Sequence, residues 1–306
     1  MVAILQFVTY DDIAAHYFSG SGALIPAPAV PDSPARRLRD ALEPIATQGW
    51  WSRSVADEMN ALHLNFFGAY VWGRAASLGI PSASTVVSAF GVFEPTFLST
   101  IYLATREQIS RDDILRARAD GASQAMSLVC SSEEASGIVE PLRRSMESVD
   151  SCARPLFSGL RELEMPSTPQ GQLWRLAEMF REHRGDGHLA ACIAHGMSAI
   201  QINVITELWL GYNLGEYSAT RGFTKEVIEE TMTSLQERGI TDDKGLTAFG
   251  YNMRSQIEND TDRTQDAIIA ALGTSIEDII NTANDISTRV INYPSFPSDP
   301  RKRAAG

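Results

Sequence analysis

Cysteine and histidine are scarce in this sequence, and their scarcity excludes several kinds of site. Three cysteines, Cys130, Cys152 and Cys192, show neither the paired spacing of a zinc site nor the even count of a disulfide framework. Dinucleotide-binding glycine motifs, phosphate-binding loops and nucleophile elbows are also missing. We therefore expect no cofactor and no metal. Unpaired thiols are typical of a reducing compartment, and we expect a cytoplasmic protein.

Positive charge is in short supply as well. The 306 residues include 26 lysines and arginines against 38 aspartates and glutamates, for a formal net charge of −12. This balance opposes nonspecific binding to nucleic acid or to an anionic membrane. No apolar run approaches the roughly 20 residues of a membrane span. The apolar start, residues 1–10, lacks the basic residues of a signal peptide. We expect no membrane partner.

Sustained strand patterns are missing too. Apolar residues recur every three or four positions along most of the chain, which predicts an all-α protein. Prolines between residues 155 and 169 indicate a boundary between a helical domain over 34–165 and a helical, winged-helix domain over 166–290. Residues 1–33, with a Ser-Gly repeat and closely spaced prolines, predict an extended arm, and residues 291–306 a tail.

One strongly charged segment stands out, the octapeptide of residues 181–188, with the sequence Arg-Glu-His-Arg-Gly-Asp-Gly-His. An apolar helix leads into it and carries Trp174. Gly185 predicts the end of that helix, because glycine readily adopts the left-handed conformation found there. Asp186 predicts the N-cap of a further helix that runs from His188 to about Tyr212.

Such a corner would place cations at one helix C-terminus beside the free N–H groups of the next helix. That arrangement could hold an anion or an enolate-like oxygen. A network of caps and salt bridges without a ligand is the alternative interpretation.

A second pattern lies on a helix predicted from about Val55 to Ser77. His63, Phe67, Tyr70 and Arg74 recur at positions i, i+4, i+7 and i+11, which places them on one helix face. Aromatic rings mixed with a cation and an imidazole suit a pocket for an aromatic or acidic small molecule. The alternative is an ordinary helix edge in which these side chains are satisfied by neighbouring groups.

Three potential metal ligands, His188, Cys192 and His195, would also share a helix face. No carboxylate occupies a fitting position on the same helix, so we expect no metal there.

The last part of the chain has the pattern of a winged helix-turn-helix. An amphipathic helix is predicted from Thr224 to Arg238, followed by Gly239-Ile240 and an acidic turn at residues 242–243. Leu246-Thr247 and Gly250 then indicate a short strand and the start of another helix. The segment from Leu235 to Gly250 resembles the wing region of MarR-type regulators.

Four motifs resemble, more specifically, one actinobacterial family of helix-turn-helix proteins, the SCO6745-like proteins. They are the octapeptide, Thr220-Arg221-Gly222, Leu246-Thr247-x-x-Gly250 and Ile257-Glu258-x-x-Thr261-Asp262. The segments 74–79 and 93–95 resemble the N-terminal half of the same family. The resemblance covers about residues 35–280. It implies an all-α protein with a winged-helix element, and it implies no particular activity.

The predicted recognition helix and wing are acidic, which opposes binding to DNA. From Thr224 to Asp262 there are nine acidic residues against four basic ones, whereas DNA contact requires cations facing the phosphates. We therefore expect DNA to be an unlikely partner. The element would serve packing or dimerisation instead, so a homodimer is among the expected partners.

These observations support two hypotheses about function. In the first, a small molecule binds between the two helical halves, and cofactor-free isomerisation, cyclisation or elimination acts on it. His183 or His188 would be the base and Asp186 or Glu182 would orient it. Arg184 and Arg74 would hold a carboxylate or enolate. The remaining contacts expected of the ligand are with His63, Phe67, Tyr70 and Trp174. In the second, the protein is a ligand-responsive, MarR-like transcriptional regulator with the same pocket as its effector site.

Overall fold

The computed structural model describes residues 9–12 and 32–293. Almost all elements in these ranges are helical, and the strands form one two-stranded antiparallel pair. This confirms the predicted all-α fold with a small β-wing. The remaining residues of the predicted arm and tail lie outside the described ranges.

The α-helices follow one another in this order: α1 (Pro34–Ala46), α2 (Gln48–Trp51), α3 (Arg53–Ala61), α4 (Phe66–Ala75), α5 (Ala83–Phe90), α6 (Pro95–Arg106), α7 (Arg111–Ser127), α8 (Ser132–Ser148), α9 (Pro155–Arg161), α10 (Pro169–Ala194), α11 (Ala199–Trp209), α12 (Lys225–Glu237), α13 (Ala248–Arg263), α14 (Asp266–Leu272) and α15 (Ile276–Ile291). The strands are β1 (Thr241–Asp242) and β2 (Gly245–Leu246), and 3-10 turns occupy Ala76–Leu78, Ser218–Arg221 and Gly273–Ser275.

Side-chain caps define where many of these helices begin. The Ser110 hydroxyl accepts a hydrogen bond from the Asp113 N–H at the start of α7. Ser131 and Ser198 form complete capping boxes with Glu134 and Gln201, in which each side chain bonds the other residue's backbone.

The 26-residue helix α10 connects two hydrophobic cores. Its first turns, with Leu173 and Phe180, lie in the first core together with residues from α1 to α9, α14 and α15. Its last turns, with Ala191 and Cys192, lie in the second core with residues of α11, α12 and α13. The polar octapeptide occupies the length of α10 between the two cores.

The chain between Ala199 and Arg263, from α11 through α13, is called the wing unit below. The α12 helix and the β1–β2 hairpin within it confirm the winged-helix pattern read from the sequence. Gly250 is required near the start of α13, because a Cβ there would lie 2.1 Å from the Ile240 carbonyl oxygen. Domain division at residue 166 stays a prediction, and apolar contacts cross that position because α10, α14 and α15 all contribute to the first core.

The predicted helix end at Gly185 is wrong, since α10 runs without interruption through residues 181–188. Gly187 permits a close approach instead: a Cβ on it would lie 2.3 Å from the Thr264 hydroxyl oxygen just after α13. Asp186 is not an N-cap, and its carboxylate accepts a hydrogen bond from the Phe157 N–H of α9. The helical corner and its free N–H groups therefore do not exist.

Two other predicted helices are also interrupted. The helix expected over residues 55–77 breaks between α3 and α4, where His63 has a left-handed backbone (φ 59°) and Asn65 caps α4 through the Gly68 N–H. The helix expected from His188 to Tyr212 breaks at Gly196, whose φ is 67°. The axes of α10 and α11 consequently differ by 104°.

No single described helix is both long enough and apolar enough to cross a membrane. The bent pair α10–α11 is long and apolar enough only when its two helices are counted together.

The two glycines of the octapeptide should respond in opposite ways to replacement by alanine. Gly187→Ala forces Thr264 to move, so we expect the free energy of unfolding to fall by roughly 1–3 kcal/mol. Gly185→Ala is the matched control. Its Cβ would meet only Glu182 Oε2, at 3.7 Å, and loss of glycine's conformational freedom should stabilise the helix by roughly 0.5–1 kcal/mol. Urea unfolding measures both, and equal effects would contradict the close-approach role of Gly187.

Candidate functional site

A cavity of about 120 Å³ lies beside the octapeptide, where the first core meets the wing unit. It is called the central cavity. Its wall combines side chains of α1, α4, α5, α9, α10, α11 and α13 with Val92, Phe93, Tyr217 and Arg221. The apolar and aromatic part of the wall consists of Tyr70, Ala89, Phe90, Val92, Phe93, Leu156, Leu189, Ile202 and Tyr217.

Buried ion pairs hold the octapeptide in place. The Arg74 guanidinium of α4 donates two hydrogen bonds to the Glu182 carboxylate, at 3.1 and 2.9 Å. Arg184 Nη2 donates to Glu258 at 2.8 Å and to Asp262 at 3.1 Å, both on α13. The salt-bridge interpretation of the octapeptide therefore holds for Glu182 and Arg184.

These pairs keep the carboxylates charged. Burial opposes ionisation of Glu182, but the guanidiniums of Arg74 and Arg181 outweigh it and lower the pKa of that carboxyl. In the same way, burial opposes ionisation of Glu258, while Arg254 and Arg184 hold its pKa well below the usual value.

Cations outnumber anions around the central cavity. Six arginines line it, namely Arg39, Arg74, Arg181, Arg184, Arg221 and Arg254, against the four acids Glu43, Glu182, Asp186 and Glu258. The chain as a whole has a net charge of −12. The lining residues thus have a net charge opposite in sign to that of the chain, while Arg39 and Arg184 also pair with Asp40 and Asp262 outside the lining.

Asp186 is the acid of the wall that titrates near neutrality. Burial and the neighbouring Glu182 raise the pKa of its carboxyl to about 7. The hydrogen bond from the Phe157 N–H lowers this pKa, but its effect is smaller. Its Oδ1 is buried and has no hydrogen-bond partner in the described part of the chain.

The two histidines of the octapeptide are neutral at pH 7. Burial and Arg154 lower the pKa of His183 to about 4, and burial lowers that of His188 to about 3. His188 lines the central cavity, with Nδ1 3.0 Å from the Thr261 hydroxyl. His183 contacts Gln265 and the Phe157 ring outside the cavity wall. Such low pKa values make both imidazoles weak bases near neutral pH.

The aromatic stripe expected on one helix face is divided between three places. Tyr70 and Arg74 line the central cavity, and Arg74 Nη1 donates to the Tyr70 hydroxyl at 2.8 Å. Phe67 lies in the first core against Phe97. His63 is exposed in the turn before α4, because the helix that would have aligned it begins only at residue 66.

Trp174 is also remote from the cavity wall. Its indole N–H donates to the Ala46 carbonyl at 3.2 Å, and it is fully buried in the first core. The sequence predicted that Trp174 contacts the ligand. In this position it cannot reach a ligand in the central cavity.

Several wall residues were not identified as site residues from the sequence. The Arg221 guanidinium lies over the Tyr217 ring at 4.4 Å and the Phe93 ring at 5.2 Å. Asn203 of α11 donates to the Val92 carbonyl at 2.7 Å. The Thr220-Arg221-Gly222 motif was the available signal: Gly222 has φ 92°, and a Cβ there would lie 2.5 Å from Phe97.

The three potential metal ligands His188, Cys192 and His195 do not come together. His188 Nε2 and Cys192 Sγ are 3.5 Å apart, whereas His195 follows α10 and pairs with Asp260 at 2.8 Å. Burial raises the pKa of the Cys192 thiol to about 12, which disfavours the thiolate a metal needs. Within residues 9–12 and 32–293, no cluster of three or more potential ligands could hold a metal ion.

The outward face of α12 is acidic. Glu226, Glu229, Glu230 and Glu237 are all exposed, against Lys225 within the helix and Arg238 at its C-cap. Asp242 and Asp243 of the β1–β2 hairpin are exposed beside Lys244. A DNA-binding wing would instead present a net positive surface to the phosphates.

The model of a family described as a helix-turn-helix family matches residues 35–297 of the chain. Neither the curated proteins nor the solved structures include a match to the chain.

Protonation of His183 and His188 should destabilise the fold in acid, because both imidazoles are desolvated in the folded chain. The unfolded chain takes up their protons near pH 6.5, but the folded chain does so only near pH 4 and 3. The free energy of unfolding should therefore fall as the pH drops from about 7 to about 4. His183→Asn and His188→Asn should each reduce that slope, by up to about 1.4 kcal/mol per pH unit.

Urea midpoints at pH 7 and pH 5 measure the effect. His63→Asn, which replaces an exposed imidazole, is the matched control and should keep the wild-type slope. Identical slopes in all four proteins would contradict the burial of neutral imidazoles.

Proposed function

The chain belongs to this helix-turn-helix family, and we propose that it binds a small organic anion in the central cavity. The finer resemblance to MarR-type and SCO6745-like proteins stays a prediction. In this proposal the wing unit supplies one wall of a ligand site, through Asn203, Arg221 and Arg254, and its acidic α12 does not contact DNA.

The excess of guanidinium groups in the cavity wall is the observation that carries this proposal. The Nε atoms of Arg184 and Arg254 are buried and lack hydrogen-bond acceptors in the described residues, although both side chains also bond Glu258. An anion in the cavity would offer acceptor oxygens to these N–H groups.

The rest of the wall favours a ligand with a flat apolar body. Tyr70, Phe90 and Phe93 present aromatic surface next to Val92 and Ile202. Arg221 already lies over two rings, and a planar conjugated anion could stack there in the same way. The ligand class is therefore a carboxylate or phosphate on a small aromatic or unsaturated group.

We extend the proposal to cofactor-free acid/base chemistry on that ligand, as isomerisation, cyclisation or elimination. Guanidinium groups could stabilise an enolate oxygen. The titrating Asp186 is better placed than the weakly basic His183 and His188 to exchange a proton near neutral pH.

A ligand-responsive regulator is the second candidate, and the family match favours it. A ligand in the central cavity would touch α11 of the wing unit directly, so binding could bias the position of α12. The exposed glutamates of α12 oppose this reading, because each would face a DNA phosphate.

Anion binding can be tested with a graded set of probes: inorganic phosphate, benzoate, phenyl phosphate and the neutral analogue benzamide. We expect benzoate or phenyl phosphate to raise the melting temperature through binding to the folded state, and benzamide to leave it unchanged. Calorimetry should show that Arg221→Gln weakens aromatic-anion binding at least about tenfold, since a charged hydrogen bond and a stacked cation are lost.

Arg238→Gln, which removes an arginine exposed at the end of α12, is the control and should bind like the wild type. Stabilisation by benzamide as strong as by benzoate, or no binding of any anion in the set, would refute the proposal.

DNA binding can be tested by fluorescence anisotropy at low salt, with duplex from upstream of the protein's own gene. We expect no complex for the wild type. Replacing Glu226, Glu229 and Glu230 by lysine should create weak binding that declines steeply with added salt, because the reversed face then releases phosphate counterions.

The same three-residue charge reversal on α8, at Glu133, Glu140 and Glu147, is the control for net charge. A sequence-specific complex of the wild-type protein would favour the regulator instead.

A further inference from the structure

Asp186 differs from the other acids of the central cavity in its partners. Glu43, Glu182 and Glu258 each make ion pairs with arginines, whereas Asp186 makes no salt bridge in the described part of the chain. Its side chain is 3% exposed. A buried carboxyl without a cation is costly when ionised, so the charged form needs compensation that the surrounding residues do not provide.

The two carboxyl oxygens of Asp186 have different surroundings. Oδ2 accepts a hydrogen bond from the Phe157 N–H at 3.1 Å. Oδ1 is buried without a hydrogen-bond partner, on a residue of the cavity wall. A buried polar atom left unpaired in this way calls for a ligand or water as its partner.

The charged groups around Asp186 favour a proton on it. Glu182, one turn earlier on α10, repels its negative charge. The two cations that attract that charge already have other partners: Arg74 is bonded to Glu182, and Arg154 donates to the His183 and Thr264 carbonyl oxygens. Neutral His188 lies two residues further along the same helix.

We propose that Asp186 is the proton donor of the central cavity, bonding through Oδ1–H to an oxygen of the bound anion. This rests on the proposed anion site. An anion and a proton then bind together: when the free carboxyl is ionised, it takes a proton from solvent as the ligand enters, and the new O–H group points to the ligand oxygen. A charged Asp186 would instead repel the ligand.

This role narrows the ligand class. The anion must present one oxygen to the guanidinium groups and a second acceptor oxygen to Asp186, as carboxylates, phosphates and enolates do. The same O–H bond is the one that would break if the proton passed on to an enolate carbon, leaving the negative charge on Asp186. Proton exchange with a substrate would therefore occur at the Asp186 carboxyl.

Proton-linked binding is tested by titration calorimetry with benzoate, whose own carboxyl stays ionised near neutral pH. Amine buffers of different ionisation enthalpy, such as Tris, imidazole and triethanolamine, avoid competing buffer anions. We expect wild-type protein to take up close to one proton per bound benzoate at pH 8. Its affinity should fall about tenfold per pH unit above pH 7.

Asp186→Asn is the diagnostic variant, because the amide keeps the shape and a permanent N–H donor but cannot titrate. It should bind benzoate without proton uptake and without the fall in affinity above pH 7. His63→Asn, which replaces an exposed imidazole outside the central cavity, is the control and should keep the wild-type proton uptake.

Benzoate binding to wild-type protein without proton uptake would overturn the role of Asp186 while leaving the anion site intact. Equal uptake by Asp186→Asn would do the same. If neither protein binds benzoate or the other anions, the anion site itself fails, and the role of Asp186 fails with it. If Asp186→Asn does not fold, proton uptake by the wild-type protein on binding benzoate is by itself the test of the role of Asp186.

Discussion

The buried ion pairs around the middle of α10 are the constraint on which the rest of this structure depends. A helix that joins two apolar cores carries Glu182, Arg184 and Asp186 at a depth where unpaired charge is prohibitive. Glu182 pairs with Arg74 of α4, Arg184 pairs with Glu258 of α13, and the neighbouring Arg181 pairs with Glu43 of α1. These pairs fix how those helices meet α10. The wing unit is thus joined to the helical half by charge as well as by apolar contact.

The central cavity follows from the same arrangement. Its lining contains more arginines than acids, together with aromatic side chains of α4 and α5. Within this wall Asp186 is the acid left without a cation. A site built from surplus positive charge, flat apolar surface and one titrating carboxyl is suited to an organic anion and to a proton that moves with it.

Local patterns were sufficient to predict the helical class, the helix over residues 224–238 and the wing, because apolar periodicity and capping residues act over a few positions. They failed at residues 185–187, where Gly-Asp-Gly can mean either a helix end or a close contact. The contact with Thr264, 77 positions away in the sequence, decides between them. Arg74, Tyr70 and most of the octapeptide line the central cavity, whereas His183 does not. Phe67, His63 and Trp174 also lie elsewhere. The Asn65 cap starts a new helix after His63, and core packing, which is a tertiary outcome, places Phe67 and Trp174.

One carboxylate, that of Glu258, receives hydrogen bonds from Arg36 of α1, Arg184 of α10 and Arg254 of its own helix, at 2.8, 2.8 and 2.5 Å. A rigid-body rotation of the wing unit about the bend at Gly196 would have to separate these groups inside a region that water does not reach. Separating even one such pair costs several kcal/mol. These ion pairs therefore hold the wing unit in a fixed orientation relative to α1 and α10. A ligand would have to enter the central cavity through movements of side chains and loops rather than through a hinge motion.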